Sequence, residues 1–231
     1  NNISDAITIA TDRGFKNIYI IGDITFGASD NIDNYIIWGQ SPRLSDINIT
    51  SGCSTSNTEF RRCEISGTLS GSVGIRSCNI NSLTNVNGSI YNSELETGTI
   101  TIDGDLDIIN SSSGVAGSAT PIIDLGGSGN KFILRGYNGG LELRNKTSAD
   151  DISMDFNSGQ LVLDSTITAG NIIVRGIAKL TDNSTGATIV DTTALINQST
   201  IETSVVDKIV ETEESITLQQ ALSLILSAVS G

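Results

Sequence analysis

Three aspartates alternate with other residues in the segment DGDLD at positions 103–107, and alternating acids of this kind are typical of calcium-binding loops. They are Asp103, Asp105 and Asp107. A calcium loop of the EF-hand type that began at Asp103 would need glycine at its sixth position and glutamate at its twelfth, where this chain has Ile108 and Gly114. On a strand the three carboxylates would share one face. We therefore favour a solvated strand face over a cation site.

Paired carboxylates are also the groups that cleave glycosidic bonds. Glu94 and Glu96 flank Leu95, so on a strand both would face the same side. A second set of acids comprises Asp150, Asp151 and Asp155. Charged residues at the turns and outer faces of a β structure are the simpler interpretation, because the sequence has one tryptophan, Trp38, and few aromatic platforms for sugars. We predict no catalytic residue and a protein that is not an enzyme.

Arginines form a third candidate cluster. Arg61, Arg62 and Arg76 are predicted to occupy equivalent positions of successive coils, where they would form a ladder for an anionic glycan. The alternative, which we favour, is a solvated face on which these arginines pair with Glu59 and Glu64.

Other chemistry is limited by residue types that the sequence lacks. It contains no histidine, which excludes Ser-His-Asp and Cys-His nucleophiles, and no glycine-rich phosphate loop with its lysine. The three cysteines are Cys53, Cys63 and Cys78. An odd number does not suggest a disulfide framework, and we predict small buried residues on successive coils in preference to a disulfide between them. No cofactor is predicted.

A fifteen-residue repeat supplies the element that positions these groups. The hexapeptide FRRCEI at residues 60–65 recurs as IRSCNI at 75–80 and more loosely as IYNSEL at 90–95. Each copy has apolar first and last positions and a small fourth position. A fixed period of this kind is typical of a solenoid that stacks like residues on like. The segment LSDINI at 44–49 resembles one further copy, sixteen residues before the first.

Short strands also recur outside the repeat, with Asn, Gly and Ser between them. Residues 1–14 are interpreted as a segment that precedes the first strand, and residues 17–26 predict two strands and a turn. Apolar and polar residues alternate over residues 99–109, as in half-buried strands. After the small-residue stretch at 111–120 we predict coils of about twenty residues with two strands each. The predicted fold is all-β, a parallel β-helix with a short C-terminal helical oligomerisation tail, divided into regions 1–112, 113–192 and 193–231.

The predicted tail contains two capping boxes, at residues 199–202 and 217–220, each followed by an apolar helical pattern. The last helix is apolar almost all round, so it must be buried, and covering every side needs other subunits. The predicted oligomerisation residues are Ile201, Val205, Ile209, Leu218, Leu222, Ile225 and Val229.

The charge of the chain restricts its partners. A net charge of −13 leaves no basic face for nucleic acid, and we expect this acidity to serve solubility. No apolar run is long enough to cross a membrane, so membrane insertion is not expected.

Segments in both predicted solenoid regions resemble the C-terminal β-helical region of structural proteins from tailed-bacteriophage tails and appendages, such as tail fibres and tailspikes. The segments are 32–40 (IDNYIIWGQ), 136–147 (GYNGGLELRNKT), 152–168 (ISMDFNSGQLVLDSTIT) and 173–183 (IVRGIAKLTDN). The cysteine-bearing repeats and the apolar C-terminus are similar to the same group.

This resemblance implies a structural component of a phage tail, a fibre, spike or appendage that forms a rigid trimer and contacts other tail or baseplate proteins. The expected location is the virion, after synthesis in the host cytoplasm, and a host surface glycan is a further expected contact. Two alternatives stay open, a polysaccharide-degrading tailspike and a bacterial β-helical adhesin.

Overall fold

The protein is described here by a computed structural model, which covers residues 3–114, 120–127, 129–176 and 178–191. Within these residues it is all-β, about 56% strand, and forms a parallel β-solenoid of about nine turns with one short helix. The predicted parallel β-helix is therefore confirmed. The predicted C-terminal helical tail, with all seven predicted oligomerisation residues, lies outside the described residues.

The elements of the described residues follow one another with short connections. In chain order they are α1 (Ile3–Arg13), β1 (Asn17–Ile20), β2 (Ile24–Phe26), β3 (Ile36–Gly39), β4 (Asp46–Ile49), β5 (Thr58–Arg61), β6 (Glu64–Thr68), β7 (Ser72–Arg76), β8 (Asn79–Tyr91), β9 (Glu94–Leu95), β10 (Thr99–Ile109), β11 (Ser112–Ser113), β12 (Ile122–Asp124), β13 (Lys131–Arg144), β14 (Asp151–Leu163), β15 (Asn171–Gly176), β16 (Lys179–Asp182) and β17 (Thr188–Asp191).

The helix α1 occupies the segment for which the sequence suggested only a lead-in. Ile3, Ile7 and Ala10 lie on one face at helical spacing and pack against the first coil. A hydrogen bond of 2.9 Å joins the hydroxyl of Thr11 to the hydroxyl of Tyr35. The helix therefore covers apolar side chains of the first coil, which would otherwise face water.

The core is a column of apolar side chains, one per coil, on strands in parallel register. Phe60 lies between Ile37 and Ile75, and all three are fully buried. The whole column comprises Ile18, Ile37, Phe60, Ile75, Ile90, Ile108, Leu134, Met154 and Val174. Burying a large apolar side chain contributes about 1.5–3 kcal/mol before the loss of conformational entropy is counted. The column confirms that the repeat stacks like on like.

A second column of small residues fills one corner of the solenoid. Cys63 and Cys78 are free thiols with their Sγ atoms 3.5 Å apart. Below them the backbone N–H of Cys78 donates to Ser93 Oγ over 3.2 Å, and the N–H of Ser93 donates to Ser111 Oγ over 3.2 Å. The predicted stacking of the fourth repeat positions is therefore confirmed. The contact with Cys78, together with burial, raises the pKa of the Cys63 thiol.

The later coils have the predicted length of twenty residues. Phe132 pairs with Ile152, and Ile152 pairs with Ile172. Each predicted pair of strands in β13 and in β14 is one long strand, and Gly139 and Gly159 near their middles have φ angles of +114° and +126°, which favour glycine. Strand β10 pairs with β8, β12 and β13, so the sheet continues past residue 112. The three-region division stays a prediction.

One predicted copy of the repeat is wrong. Leu44 does not stack on Phe60; it lies exposed in the connection between β3 and β4, and Ile37 stacks on Phe60 instead. That connection spans residues 40–45, whereas the corresponding corner between β5 and β6 is only residues 62–63. The longer corner shifts the register, so Ile47 pairs with Ile65 where the sixteen-residue spacing would place Ile49.

Candidate functional site

An outward-facing row of large side chains crosses the first five coils of the solenoid. The row, which we call the outer ladder, consists of Tyr19, Trp38, Arg61, Arg76 and Tyr91. Each member directly follows a residue of the core column, because successive side chains of a strand point to opposite faces. Neighbouring strands lie about 4.8 Å apart, so the ladder extends about 19 Å along the solenoid.

The members of the outer ladder stack on one another. The rings of Tyr19 and Trp38 are nearly parallel, at 14°, with their centroids 6.1 Å apart. The guanidinium of Arg61 lies 4.7 Å from the centroid of the Trp38 ring, and that of Arg76 lies 4.4 Å from the centroid of the Tyr91 ring. Each cation–π contact at such exposed sites contributes about 0.5–1 kcal/mol. The contacts hold both guanidiniums in place.

Glu59 joins the two arginines of the ladder. Arg61 donates from Nε and Nη2 to its two carboxylate oxygens, at 2.8 and 2.9 Å, and the Nε of Arg76 lies 2.5 Å from Oε1. Partial burial opposes ionisation of Glu59, but its hydrogen bond with Arg61 and the charges of both arginines lower its pKa. Gly74 lies beside Glu59, and a Cβ there would be 3.3 Å from Glu59 Cγ, so the glycine leaves room for this arrangement.

The two guanidiniums keep donors that Glu59 does not use. Each carries five N–H groups, and the contacts with Glu59 occupy two on Arg61 and one on Arg76. Within the described part of the chain no other side chain or carbonyl accepts from them. The side chains of Arg61 and Arg76 are 30% and 49% exposed, so these donors face solvent. Two cations against one anion leave a net charge of +1 at this place.

Arg62 is not part of the ladder, which corrects the prediction that it is equivalent to Arg61 and Arg76. It occupies the corner after β5 with a φ of +56°, and its equivalent in the next coil is Ser77, with a φ of +54°. The predicted pairing of the arginines with Glu59 is present. Glu64 is not joined to any of them by an ion pair, since it lies on the next strand beyond the corner.

Glu64 belongs instead to an acidic surface on the other side of that corner. Burial raises its pKa, and the charges of Glu96, Asp46 and Asp23 raise it further. Glu96 is half-buried and accepts a hydrogen bond of 3.2 Å from Asn79 Nδ2. The solenoid therefore separates a locally cationic ladder from an acidic face.

The predicted calcium-loop aspartates lie on the outer side of β10. Asp103 and Asp105 are exposed and Asp107 is half-buried, while Leu106 and Ile108 point into the core. Among the described residues no cluster of three or more cysteines or carboxylates could hold a metal ion.

The other acids proposed for glycan cleavage are dispersed. Glu94 is exposed, and so are Asp151 and Asp155, whereas Asp150 is buried. Asp150 Oδ1 accepts from the backbone N–H groups of Gly129 and Asn130, at 2.8 and 2.9 Å. Its Oδ2 accepts from the backbone N–H and the hydroxyl of Thr147 in its own loop, at 2.6 and 2.9 Å. The geometry gives Asp150 a structural part in joining two coils.

Three ladder residues, Tyr19, Trp38 and Tyr91, are not among the site residues that the sequence predicts. A signal for them exists, because each follows an isoleucine of the core column at residues 18, 37 and 90. The steps between ladder positions change from 19 and 23 residues to 15, so a search for a constant period does not align them.

Within the described residues no helix combines the length and the apolar character that a membrane crossing requires. Comparison with protein-family models, with curated proteins and with solved structures found no match to this chain.

Proposed function

We propose that this chain is a non-enzymatic structural component of a tailed-phage tail, in which its β-solenoid acts as a stiff body. The observation that supports a mechanical role is the unbroken parallel pairing from β1 to β17. Every interior strand bonds to a strand of the coil before and of the coil after, and the core column runs through nine coils. Bending such a stack would require breaking backbone hydrogen bonds and core contacts together.

The proposed assembly is a homotrimer held by the apolar helical patterns of residues 199–231. A helix that is apolar on all sides needs partners on all sides, and three copies around one axis supply them. The placement in a phage tail, the contact with other tail or baseplate proteins and the location in the virion are supported by the sequence resemblance described above.

The assembly is tested by native mass spectrometry of the full chain and of a chain ending at residue 192. We expect three copies for the full chain and one for the truncated chain. The truncated chain should keep the circular dichroism signal of the β-solenoid. A truncated chain that keeps the same oligomeric state would overturn the proposed role of the tail. The particle assignment is tested by mass spectrometry of purified virions, where the chain should occur in a multiple of three copies.

The non-enzymatic character has its own test. Incubation of the full chain with the capsule or lipopolysaccharide of the host should release no reducing ends and no unsaturated sugars. Release of either product would replace the proposal by a polysaccharide-degrading tailspike.

A further inference from the structure

The outer ladder is an unusual surface for a solvated face of a solenoid. Tyr19 is 72% exposed, and the next members place a tryptophan, two arginines and a second tyrosine in line along one axis. The fold requires only that the preceding residues be apolar, because those form the core column. Tyr19 and Arg76 are exposed, and Trp38, Arg61 and Tyr91 are half-buried. Aromatic residues and arginine are the types enriched at binding surfaces.

We propose that Arg61 and Arg76 form an anion site for the carboxylate groups of an acidic glycan, bracketed by the rings of Trp38 and Tyr91. Glu59 and the two rings hold the guanidiniums in a fixed orientation before any ligand binds. A planar carboxylate fits the N–H pairs that Glu59 leaves unused, since guanidinium and carboxylate match in a bidentate arrangement. The orientation is already fixed, so binding loses little side-chain entropy.

The shape of the surface favours a glycan over an acidic peptide. The ladder strands are hydrogen-bonded on both sides from β3 to β8, so no free strand edge is available there for an added peptide strand. A polymer of rings with hydroxyl and carboxylate groups needs only a flat row of stacking and hydrogen-bonding groups. The ladder offers such a row over about 19 Å, the span of four strand spacings.

The charge of the whole chain opposes an acidic ligand but does not prevent this contact. The net charge is −13, and at physiological salt charges more than about 8 Å away are largely screened. The nearest charges, two arginines and one glutamate, therefore decide the local attraction. This site goes beyond the proposed mechanical role and does not depend on the particle in which the chain occurs.

Binding at this site can be followed by tryptophan fluorescence, because Trp38 is the single tryptophan of the sequence and lies within the ladder. The experiment titrates the full chain with hexameric galacturonate and follows Trp38 fluorescence. We expect a saturable change that weakens between about 20 and 200 mM salt. The methyl-esterified hexamer, which has the same rings without charge, should produce no such change.

Matched variants separate this site from general attraction. R76Q should weaken binding about tenfold or more, the factor expected for loss of a charge-assisted hydrogen bond. R135Q is the control: Arg135 is exposed, continues the same outward row two coils further on and makes no ion pair within the described residues, so its loss should change affinity by less than about twofold. E59Q should increase the affinity severalfold, because it removes the negative charge beside the two guanidiniums while the glutamine oxygen can still accept a hydrogen bond from them.

Several results would overturn the proposal. They are an unchanged fluorescence with the acidic hexamer, equal binding of the methyl ester, equal binding of hexaglutamate, or equal losses in R76Q and R135Q. Circular dichroism checks that each variant is folded. If R76Q does not fold, E59Q decides the question, since a purely structural Glu59 would give no gain of affinity for the acidic hexamer.

Discussion

The corner after each repeat strand holds one residue in the left-handed region of backbone conformation, and the type of residue there should set part of the stability. Ser77 and Asn92 occupy equivalent corners with φ angles of +54° and +48°, and both are exposed. Asparagine is several-fold enriched in this conformation over ordinary residues. A three- to fivefold preference corresponds to about 0.6–1 kcal/mol.

We therefore expect S77N to stabilise the solenoid by about 0.6–1 kcal/mol and N92S to destabilise it by a similar amount. For a chain of this length the shifts in Tm should be about 1–4 °C in opposite directions. Thermal unfolding followed by circular dichroism measures them. The matched control is S89N, because Ser89 lies in the extended strand β8, where asparagine offers no such advantage.

The reasoning would be refuted if S77N lowered the Tm, or if S77N and S89N raised it equally. The second outcome would mean that asparagine acts through its amide at any exposed position. Neither hydroxyl nor amide of the two corner residues is joined to a described side chain, so the comparison isolates the backbone conformation.

Four further outcomes are expected. F60A should lower the free energy of unfolding by about 3–5 kcal/mol, because it leaves a cavity in the core column; chemical denaturation measures this, and a loss below about 1 kcal/mol would contradict the packing. Burial, with the charges of two nearby aspartates, raises the pKa of Cys53 to about 11. A thiol reagent at pH 8 should therefore label Cys53 only after unfolding, and labelling of Cys53 in the native chain would refute its burial. Because the pKa of Glu64 is raised in the folded chain, its ionisation opposes folding as the pH rises above about 4.3, the usual pKa of glutamate. E64Q should therefore have a higher Tm than the wild type at pH 7 and the same Tm at pH 3. G176A should be strongly destabilised, because a Cβ there would collide with the carbonyl of the preceding coil and φ is +87°; unchanged thermal unfolding would contradict that geometry.

The fold could be predicted where the corners are short and constant. From residue 60 to residue 95 each corner after the ladder strand has two residues, so the period stays at fifteen and equivalent residues align by inspection. The twenty-residue coils after residue 130 are predictable for the same reason. The register of the first coils is not, because the six-residue corner at 40–45 changes the step, and no local property of Leu44 reveals that it lies outside the column.

The helix α1 escaped prediction for a different reason. Its apolar face consists of Ile3, Ile7 and Ala10, a short pattern in a helix of 11 residues, which is marginal in isolation. What stabilises it is contact with the first coil, which sequence alone does not display.

The outer ladder shows where function is to be sought on such a fold. Inward positions are determined by stacking, and most outward positions of the described coils carry short polar or charged residues that water can solvate. Tyr19, Trp38 and Tyr91 depart from that pattern at outward positions, where the core column gains nothing from them. Tyr19 stacks on Trp38, and Trp38 and Tyr91 stack on arginines, which offsets part of the cost of exposure. A serine or threonine at these positions would avoid that cost altogether. Large outward side chains that folding does not require, in register with two arginines whose donors are only partly used, are what the proposed anion site accounts for.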